Sequence, residues 1–413
     1  MAKIKPFRAV RPSKGLEDRI IVSPFEKMAD EEIKKIIDNN PYSFLRVIRA
    51  DVDLDGVEDR YCTEVFEKAK ENIQLFIDDE VMLVEEKPVI YIYRQTLFDH
   101  VQTGIVCCVN VNDYENGVIK KHEQTKVDKE YVMMDQLFAT SANTEPIFLA
   151  YAGEDKIKVL INSYINNKPK EYDVTLGDVR HEIWTITDDN IINGIVTFFE
   201  EIDSLYIADG HHRTHAAYSF SKRMHEQHHL EGEYELDYIM ATIFPMGDLQ
   251  VIDFNRVVKN LNGHTKRELL EQINQAGFDI IPTTKDNCKP TKKYQISMYI
   301  DNEWYFLNLR EEEIAKLGDV VEKLDVSILQ DKILAPILGI HDPRINPNIE
   351  FVNGLKDMKG LEERVDNDME VAFAVYPVSI EEIIEISDKE RTMPPKSTCF
   401  EPKLAIGLFM HRL

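Results

Sequence analysis

The spacing of hydrophobic and polar positions in the first half of the chain changes between helical and strand periods. Residues 62–76 place apolar side chains at helical spacing, which predicts an amphipathic helix. Residues 89–93 and 103–109 are short runs rich in β-branched residues, and the nearly apolar second run predicts a central strand. Residues 147–151 and 157–160 are predicted as two further strands.

The second half of the chain begins with the clearest change from a strand pattern to a helical pattern. Residues 204–208 form a compact apolar run that predicts a buried strand, and residues 214–228 are predicted to be helical. Residues 238–244 and 250–254 are predicted as a strand pair joined by a Pro-Met-Gly-Asp turn. Because the chain has both predicted strands and predicted helices, we expect an α+β fold.

The length of 413 residues favours two or three packed subdomains. No long flexible linker is visible, but the loops near Gly263 and at residues 288–292 are candidate boundaries between subdomains. We therefore expect a catalytic region over residues 1–262 and a C-terminal α/β region over residues 263–413 packed on it.

The charge balance narrows the possible partners. The chain has 49 basic and 74 acidic residues, and its net charge of -25 repels DNA and anionic membrane surfaces. A small anionic substrate would therefore need a local basic pocket. No apolar run approaches the roughly 20 residues of a membrane helix, and no signal-peptide pattern follows Met1, so a cytoplasmic location is expected.

The segment from Asp209 to Arg213 is the strongest candidate for chemistry. A buried strand that runs into Asp209-Gly210 and then a helix creates a site that attracts phosphate. Gly210 lets the backbone approach an anion, Arg213 can bind phosphate oxygens in fork geometry, and His211 or His212 can donate a hydrogen bond or a proton. The alternative is a surface turn that happens to be rich in histidine.

The same segment also allows a metal site. His211 and His215 are four residues apart, which places them on one helix face at metal-ligand distance. A third ligand is not evident from spacing, so zinc is the minor alternative.

Three other segments carry candidate residues. Residues 120–126 combine three lysines with His122 and Glu123 and could supply a positive pocket, although a charge run is by default a solvated loop. Residues 393–398 join two prolines to a Lys-Ser-Thr triplet that could contact phosphate or form a rigid turn. Glu26, after a proline and an aromatic residue, is a candidate general base or an ordinary surface glutamate.

Several of these segments together resemble the signature of the domain-of-unknown-function family 1015, over nearly the whole chain. The segments are Lys121-His122-Glu123-Gln124-Thr125, Ala208-Asp209-Gly210-His211-His212-Arg213, and Met393-Pro394-Pro395-Lys396-Ser397-Thr398 with Glu401-Pro402-Lys403. The Asp-Gly-His-His-Arg segment also resembles the phosphate-binding motif of free serine kinases. Those kinases have a ParB/sulfiredoxin-like fold, so the resemblance implies such a mixed-sheet core here.

The resemblance implies a nucleotide-dependent phosphotransferase that acts on a small hydroxyl metabolite, with free L-serine as the leading acceptor, or the reverse reaction on phosphoserine. It implies Mg²⁺ with ATP or ADP, catalytic roles for Glu26, Asp209, His211 and His212, and a small-molecule substrate as partner. The implied phosphate and nucleotide contacts are Gly210, Arg213, His122, Glu123, Thr125, Lys126, Arg256, Lys396, Ser397 and Thr398.

The chain departs from the family pattern at two places. Pro24-Phe25-Glu26 replaces Pro-Tyr-Asp, which keeps a carboxylate but lengthens it, and Asn255-Arg256 replaces His-Arg, which removes a titratable ring. Two other functions stay open: a ParB-like nucleotide-sensing binding protein without catalysis, and a metal-dependent hydrolase built on His211 and His215.

Overall fold

The computed structural model describes residues 1–24, 28–153 and 156–413, which form two compact units. The first unit consists of Met1–Lys120, Thr125–Leu249 and Pro402–Leu413. The second unit consists of Lys121–Gln124 and Gln250–Glu401. The chain therefore leaves the first unit twice and returns to it with its last residues.

The described residues form strands and helices throughout both units. The strands are β1 (Ile4–Lys5), β2 (Ala9–Pro12), β3 (Met82–Val84), β4 (Ile90–Leu97), β5 (His100–Asn110), β6 (Ile119–Lys120), β7 (Ala142–Asn143), β8 (Ile147–Tyr151), β9 (Tyr172–Leu176), β10 (Val179–Ile186), β11 (Leu205–Asp209), β12 (Tyr238–Pro245), β13 (Gln250–Ile252), β14 (Phe254–Val258), β15 (Phe278–Thr283), β16 (Gln295–Ile300), β17 (Glu303–Leu309), β18 (Ile349–Asn353), β19 (Val371–Ala374), β20 (Cys399–Glu401) and β21 (Met410–Arg412). The α-helices are α1 (Glu17–Ile20), α2 (Asp30–Asn39), α3 (Leu45–Ile48), α4 (Thr63–Asp78), α5 (Asn112–Glu115), α6 (Val127–Thr140), α7 (Lys156–Asn167), α8 (Asp189–Glu200), α9 (His211–His228), α10 (Lys266–Gln275), α11 (Glu311–Ile314), α12 (Asp325–Leu329), α13 (Asp357–Asn367) and α14 (Ile380–Asp388).

A nine-stranded mixed sheet organises the first unit. Its order is β6-β11-β8-β12-β5-β4-β10-β9, with β1 paired to β5. The β11–β6 and β12–β8 pairs are parallel and the other pairs are antiparallel. A smaller four-stranded sheet, β3-β2-β21-β7, includes the last strand of the chain. The expected α+β class is confirmed.

Both faces of the large sheet are buried, because its central strands are apolar on both sides. Along β4, Ile90 and Ile92 contribute to one core, while Tyr91 and Tyr93 contribute to the core on the opposite face. This alternation is the two-residue period of a strand. The near-continuous apolar run of β5 is thus explained by its central position, as the sequence predicts.

The second unit is built on a six-stranded sheet in the order β15-β17-β16-β19-β14-β18, with antiparallel pairs throughout. The strands β13 and β20 form a separate antiparallel pair. Helix α12 continues as a π-helical segment over Gln330–Leu334. Within the described ranges, the protein has no helix with the length and apolar character needed to span a membrane.

Two predictions of elements are wrong. Residues 157–160 begin the helix α7, because Ile157, Ile161 and Tyr164 are the buried residues and their spacing is helical. The predicted strand pair does not form either. The first strand, β12, pairs with β5 and β8, while β13 pairs with β20 in the other unit.

Candidate functional site

The turn after β11 is shaped by a bulge and a glycine. The register of β11 against β8 shifts between Ile207 and Asp209, which marks a β-bulge. Gly210 then takes φ +96° and ψ 26° as the residue before α9. A Cβ atom there would lie 3.1 Å from Cγ2 of Ile147, so the backbone angle favours glycine and a side chain would also crowd Ile147.

Helix α9 starts directly at this turn. The backbone amide and the hydroxyl of Thr214 both donate to the carbonyl of Gly210, at 2.9 and 3.0 Å. Residues 211–213 therefore form the first turn of an 18-residue helix, whose dipole places its positive end here. This is the strand, glycine and helix order that the sequence predicts.

The carboxylate of Asp209 lies among cations at the start of the helix. Its Oδ1 accepts the backbone N–H of Gly210 at 2.9 Å, and its Oδ2 lies 3.1 Å from Nζ of Lys403. Burial favours the neutral acid, but the charges of Lys403 and Arg213 and the ring of His211 outweigh it and hold the pKa of Asp209 well below its ordinary value. Solvent reaches 43% of the Asp209 side-chain surface, while the surrounding protein atoms desolvate the rest of it.

Lys403 reaches Asp209 because its backbone is fixed on the large sheet. The buried amide of Gln95 donates to the carbonyl of Lys403 at 2.8 Å, and that of Gln102 donates to the carbonyl of Pro402 at 3.3 Å. The hydroxyl of Tyr93 accepts the N–H of Ala405 at 3.2 Å. Polar side chains of β4 and β5 thus anchor the C-terminal segment beside the turn.

Arg213 is bound to the segment that precedes β8. Its Nη1 donates to Oε2 of Glu145 at 3.0 Å and to the carbonyl of Pro146 at 2.7 Å. Its Nε lies 3.4 Å from the position of a Cβ atom on Gly210, so the guanidinium folds back beside the turn. The antiparallel β8–β11 pairing explains this contact, because it sets the start of β8 next to the end of β11.

The histidines of α9 have separate environments. His211 is buried, whereas Nε2 of His212 accepts the backbone N–H of Lys126 at 2.9 Å and so links α9 to the start of α6. Nε2 of His215 lies 3.3 Å from Oε2 of Glu130. Within residues 1–24, 28–153 and 156–413, no group of three or more His, Cys, Asp or Glu side chains is arranged to hold a metal.

A second group of predicted residues comes together in the second unit. His122 is 1% exposed, its Nε2 lies 3.1 Å from the hydroxyl of Thr398, and its carbonyl accepts the N–H of Met393 at 2.8 Å. Glu123 is the half-buried neighbour of His122 in this unit. The structure thus joins the first and third signature segments by direct hydrogen bonds.

Arg256 supports the backbone of the same region. The guanidinium is buried, which lowers its pKa to about 9, and it donates to the carbonyls of Phe254, Pro395 and Lys396. The ammonium of Lys396 lies 5.3 Å from the ring centre of Phe254. Arg256 thus fixes the turn that carries Lys396.

The neighbours of Arg256 hold the same turn and strand. The hydroxyl of Ser397 donates to the carbonyl of Pro394 at 2.6 Å. The Oδ1 of Asn255 accepts the N–H of Val375 at 3.1 Å. This contact ties the start of β14 to the end of β19.

The predicted residues therefore form two sets. The first unit contains Asp209, Gly210, His211, His212, Arg213, Thr125 and Lys126, and the second contains His122, Glu123, Arg256, Lys396, Ser397 and Thr398. Glu26 lies outside the described residues. Sequence reasoning missed Lys403 and Glu145 as site residues. Lys403 stands in a signature segment, which could have indicated it, but only the order of the strands indicates Glu145.

The chain belongs to the family described as a protein of unknown function, DUF1015, whose family description matches residues 4–327. The resemblance to this family is confirmed. No curated protein sequence matches the chain.

The solved structures that are similar to the chain include the three that follow. A free serine kinase in complex with AMP has a TM-score of 0.36 and 13% identity, covering 74% of this chain and 91% of that one. A conserved hypothetical protein from Pyrococcus furiosus has a TM-score of 0.34 and 12% identity, covering 73% and 95%. SbnI with a C-terminal truncation, from Staphylococcus aureus, has a TM-score of 0.39 and 12% identity, covering 74% and 87%.

Proposed function

We propose that the protein is a nucleotide-dependent phosphotransferase that acts on a small hydroxyl metabolite, with free L-serine as the acceptor. The observation that carries the proposal is the geometry at the start of α9, where Lys403 and Arg213 lie beside the turn formed by Asp209 and Gly210. Lys403, Arg213 and His211 keep this half-exposed carboxylate ionised at the positive end of α9. The first turn of a helix, with its backbone amides and the positive end of the helix dipole, is a common binding place for phosphate oxygens.

Each residue of the turn has a proposed role. Gly210 lets phosphate oxygens approach the backbone, and Arg213 and Lys403 offset the charge that develops on the transferred group. His212 and His211 donate to the phosphate, and Glu26 takes the proton from the acceptor hydroxyl. Within the second unit, the predicted residues from His122 to Thr398 stay proposed phosphate contacts. The proposed core fold is ParB/sulfiredoxin-like.

Asp209 also fits the chemistry of a magnesium nucleotide. Mg²⁺ in phosphoryl-transfer sites is commonly held by one or two carboxylates together with substrate phosphates. Asp209 offers one ionised, half-exposed carboxylate, and a cage made of three protein ligands is not needed. When bound, the ion would supply charge neutralisation between the phosphates.

Phosphorus NMR tests the reaction directly. Purified protein is incubated with L-serine and Mg²⁺ and with ATP, ADP or pyrophosphate in turn, and the expected result is a new phosphomonoester signal that requires both serine and one donor. Absence of turnover with every donor, in both directions, would reject the proposal.

Arg213→Ala tests the role of the turn. We expect turnover to fall by roughly 100-fold or more, because charge stabilisation of the transferred phosphate is lost. The matched control is Arg223→Ala, an exposed arginine farther along α9, which should leave turnover unchanged. Because Arg213 also binds Glu145, thermal denaturation of both variants is needed to separate lost catalysis from lost folding. Unchanged turnover in a folded Arg213→Ala protein would contradict the proposal.

A further inference from the structure

The second unit contains a cavity of about 580 Å³ whose lining differs in character from the phosphate site. It lies where the ends of β15, β16 and β17 meet the helix α13. Its aromatic floor is formed by Tyr299 and Trp304, which are directly paired across β16 and β17 with ring centres 4.8 Å apart. Aromatic surface beside a few polar groups is the usual composition of a small-molecule site.

The polar wall of this cavity is acidic. Glu362 is only 8% exposed, yet its carboxylate accepts the indole N–H of Trp304 at 2.9 Å. Asp366, one turn later on α13, lies 3.5 Å from the hydroxyl of Tyr299. Burial raises the pKa of Tyr299, and the charges of Asp366 and Glu362 raise it further, as expected where the local potential is negative.

One ammonium group already lies in this cavity. Nζ of Lys285 forms an ion pair with the second oxygen of Glu362, although 64% of the lysine side chain is exposed. Glu303, also in the lining, is neutralised by Lys266 at 2.6 Å. Among the described residues that line the cavity, Lys285 is the only cationic one, and its ammonium sits on a flexible chain that can move into solvent at low cost.

We propose that this cavity binds a small aliphatic diamine. One ammonium of the ligand replaces that of Lys285 on Glu362, the second binds Asp366, and the alkyl chain covers the edges of Tyr299 and Trp304. Residues four apart on a helix are about 6 Å apart at their Cβ atoms, so the carboxylates of Glu362 and Asp366 are near enough for the two ammonium groups of one short diamine. This site uses none of the residues of the proposed phosphotransferase and is independent of that function.

Calorimetric titration of the full chain with 1,4-diaminobutane tests the proposal. Two probes with the same four-carbon chain separate the contributions of the two ammonium groups to binding: 1-aminobutane has one ammonium, and 1,4-butanediol has none. We expect binding of the diamine, weaker binding of the monoamine and no binding of the diol. Equal heats for diamine and diol would overturn the proposal.

Three substitutions place the ligand in the cavity. Glu362→Gln should weaken diamine binding on the order of tenfold or more, because a charged hydrogen bond is lost. Asp366→Asn should reduce the affinity of the diamine to that of the monoamine. Lys285→Ala should tighten binding several-fold, since the competing ammonium is gone. This expected increase in affinity does not depend on how well Glu362→Gln folds.

The matched control is Glu363→Gln, which removes an exposed carboxylate from the adjacent position of α13 without touching the cavity. It should leave diamine affinity unchanged. An equal loss in Glu363→Gln and Glu362→Gln would mean that the diamine binds diffusely to an acidic surface, and it would reject the site. Unchanged affinity in Lys285→Ala would reject it as well.

Discussion

Gly210 is the residue on which the turn after β11 depends, because its φ of +96° lies in a region that L side chains rarely adopt. Gly232 has nearly the same angle, +93°, but a Cβ atom there would meet nothing within 4 Å. The two glycines therefore separate the effect of the backbone angle from the effect of crowding by Ile147.

Gly210→Ala is expected to lower the free energy of unfolding more than Gly232→Ala does. Both substitutions should lose roughly 1–2 kcal/mol from the unfavourable angle, and Gly210→Ala should lose more because its Cβ contacts Ile147. Urea denaturation of the two variants measures the difference. Equal losses would show that the space beside Ile147 relaxes freely and that the turn tolerates a side chain.

Asp325 links the stability of the second unit to pH. This carboxyl is 4% exposed, and burial raises its pKa from 3.8 to about 8, although the N–H of Tyr294 donates to it at 2.8 Å. Between these pH values the folded protein holds a proton that the unfolded chain releases. The stabilisation is therefore complete below pH 3.8 and is lost as the pH rises towards 8.

Asp325→Asn should remove this dependence, because the amide keeps the acceptor for Tyr294 but does not ionise. The free energy of unfolding of the variant minus that of wild type should increase from about pH 5 to about pH 8.5, by at most on the order of 5 kcal/mol. Denaturation at both pH values gives the result, and the exposed Asp286→Asn is the control. A wild-type protein that is as stable at the higher pH as at the lower would contradict the assignment.

At the scale of elements, the sequence predicts best where several local signals agree. The helix expected over residues 62–76 is α4, with Val65, Ala69 and Ile73 among its buried residues. The junction of β11 and α9 was also predicted, because an apolar run, an Asp-Gly turn and a helical pattern follow one another directly. Predictions from short apolar runs fail more easily. The four apolar-rich positions of residues 157–160 fit a strand or one helical turn, and only the continuation to Tyr164 decides for the helix.

The candidate site was predicted only in its contiguous part. Lys403 pairs with Asp209 across 194 positions of sequence, and Glu145 reaches Arg213 because β8 lies beside β11. Neither contact follows from the spacing of residues, since both depend on the order of strands in the sheet. Likewise, His122 and Thr398 were grouped by family resemblance, and their hydrogen bond is a result of the tertiary fold.

At the scale of the whole molecule, the last twelve residues complete the first unit. Strand β21 lies between β2 and β7, and Leu408 and Phe409 belong to the core that contains Tyr91. The ring of Phe409 is 2% exposed and lies 4.5 Å from that of Tyr91, centre to centre. Contacts between chain segments so far apart require the closing of a long loop, and that entropy cost must be offset by the packing of the segment.

Phe409→Ala should therefore destabilise the first unit by about 3–5 kcal/mol, because it leaves a cavity beneath β4 and β5. Hydrogen exchange should report faster opening of β4 and β5. The ion pair between Lys403 and Asp209 should weaken as well, because the same segment carries Lys403. The control is Leu75→Ala, which removes a half-exposed side chain of α4 in the same unit. Equal exchange rates in the two variants would mean that the large sheet is stable without the C-terminal segment, and Lys403 would then be held by the contacts of its own backbone with Gln95.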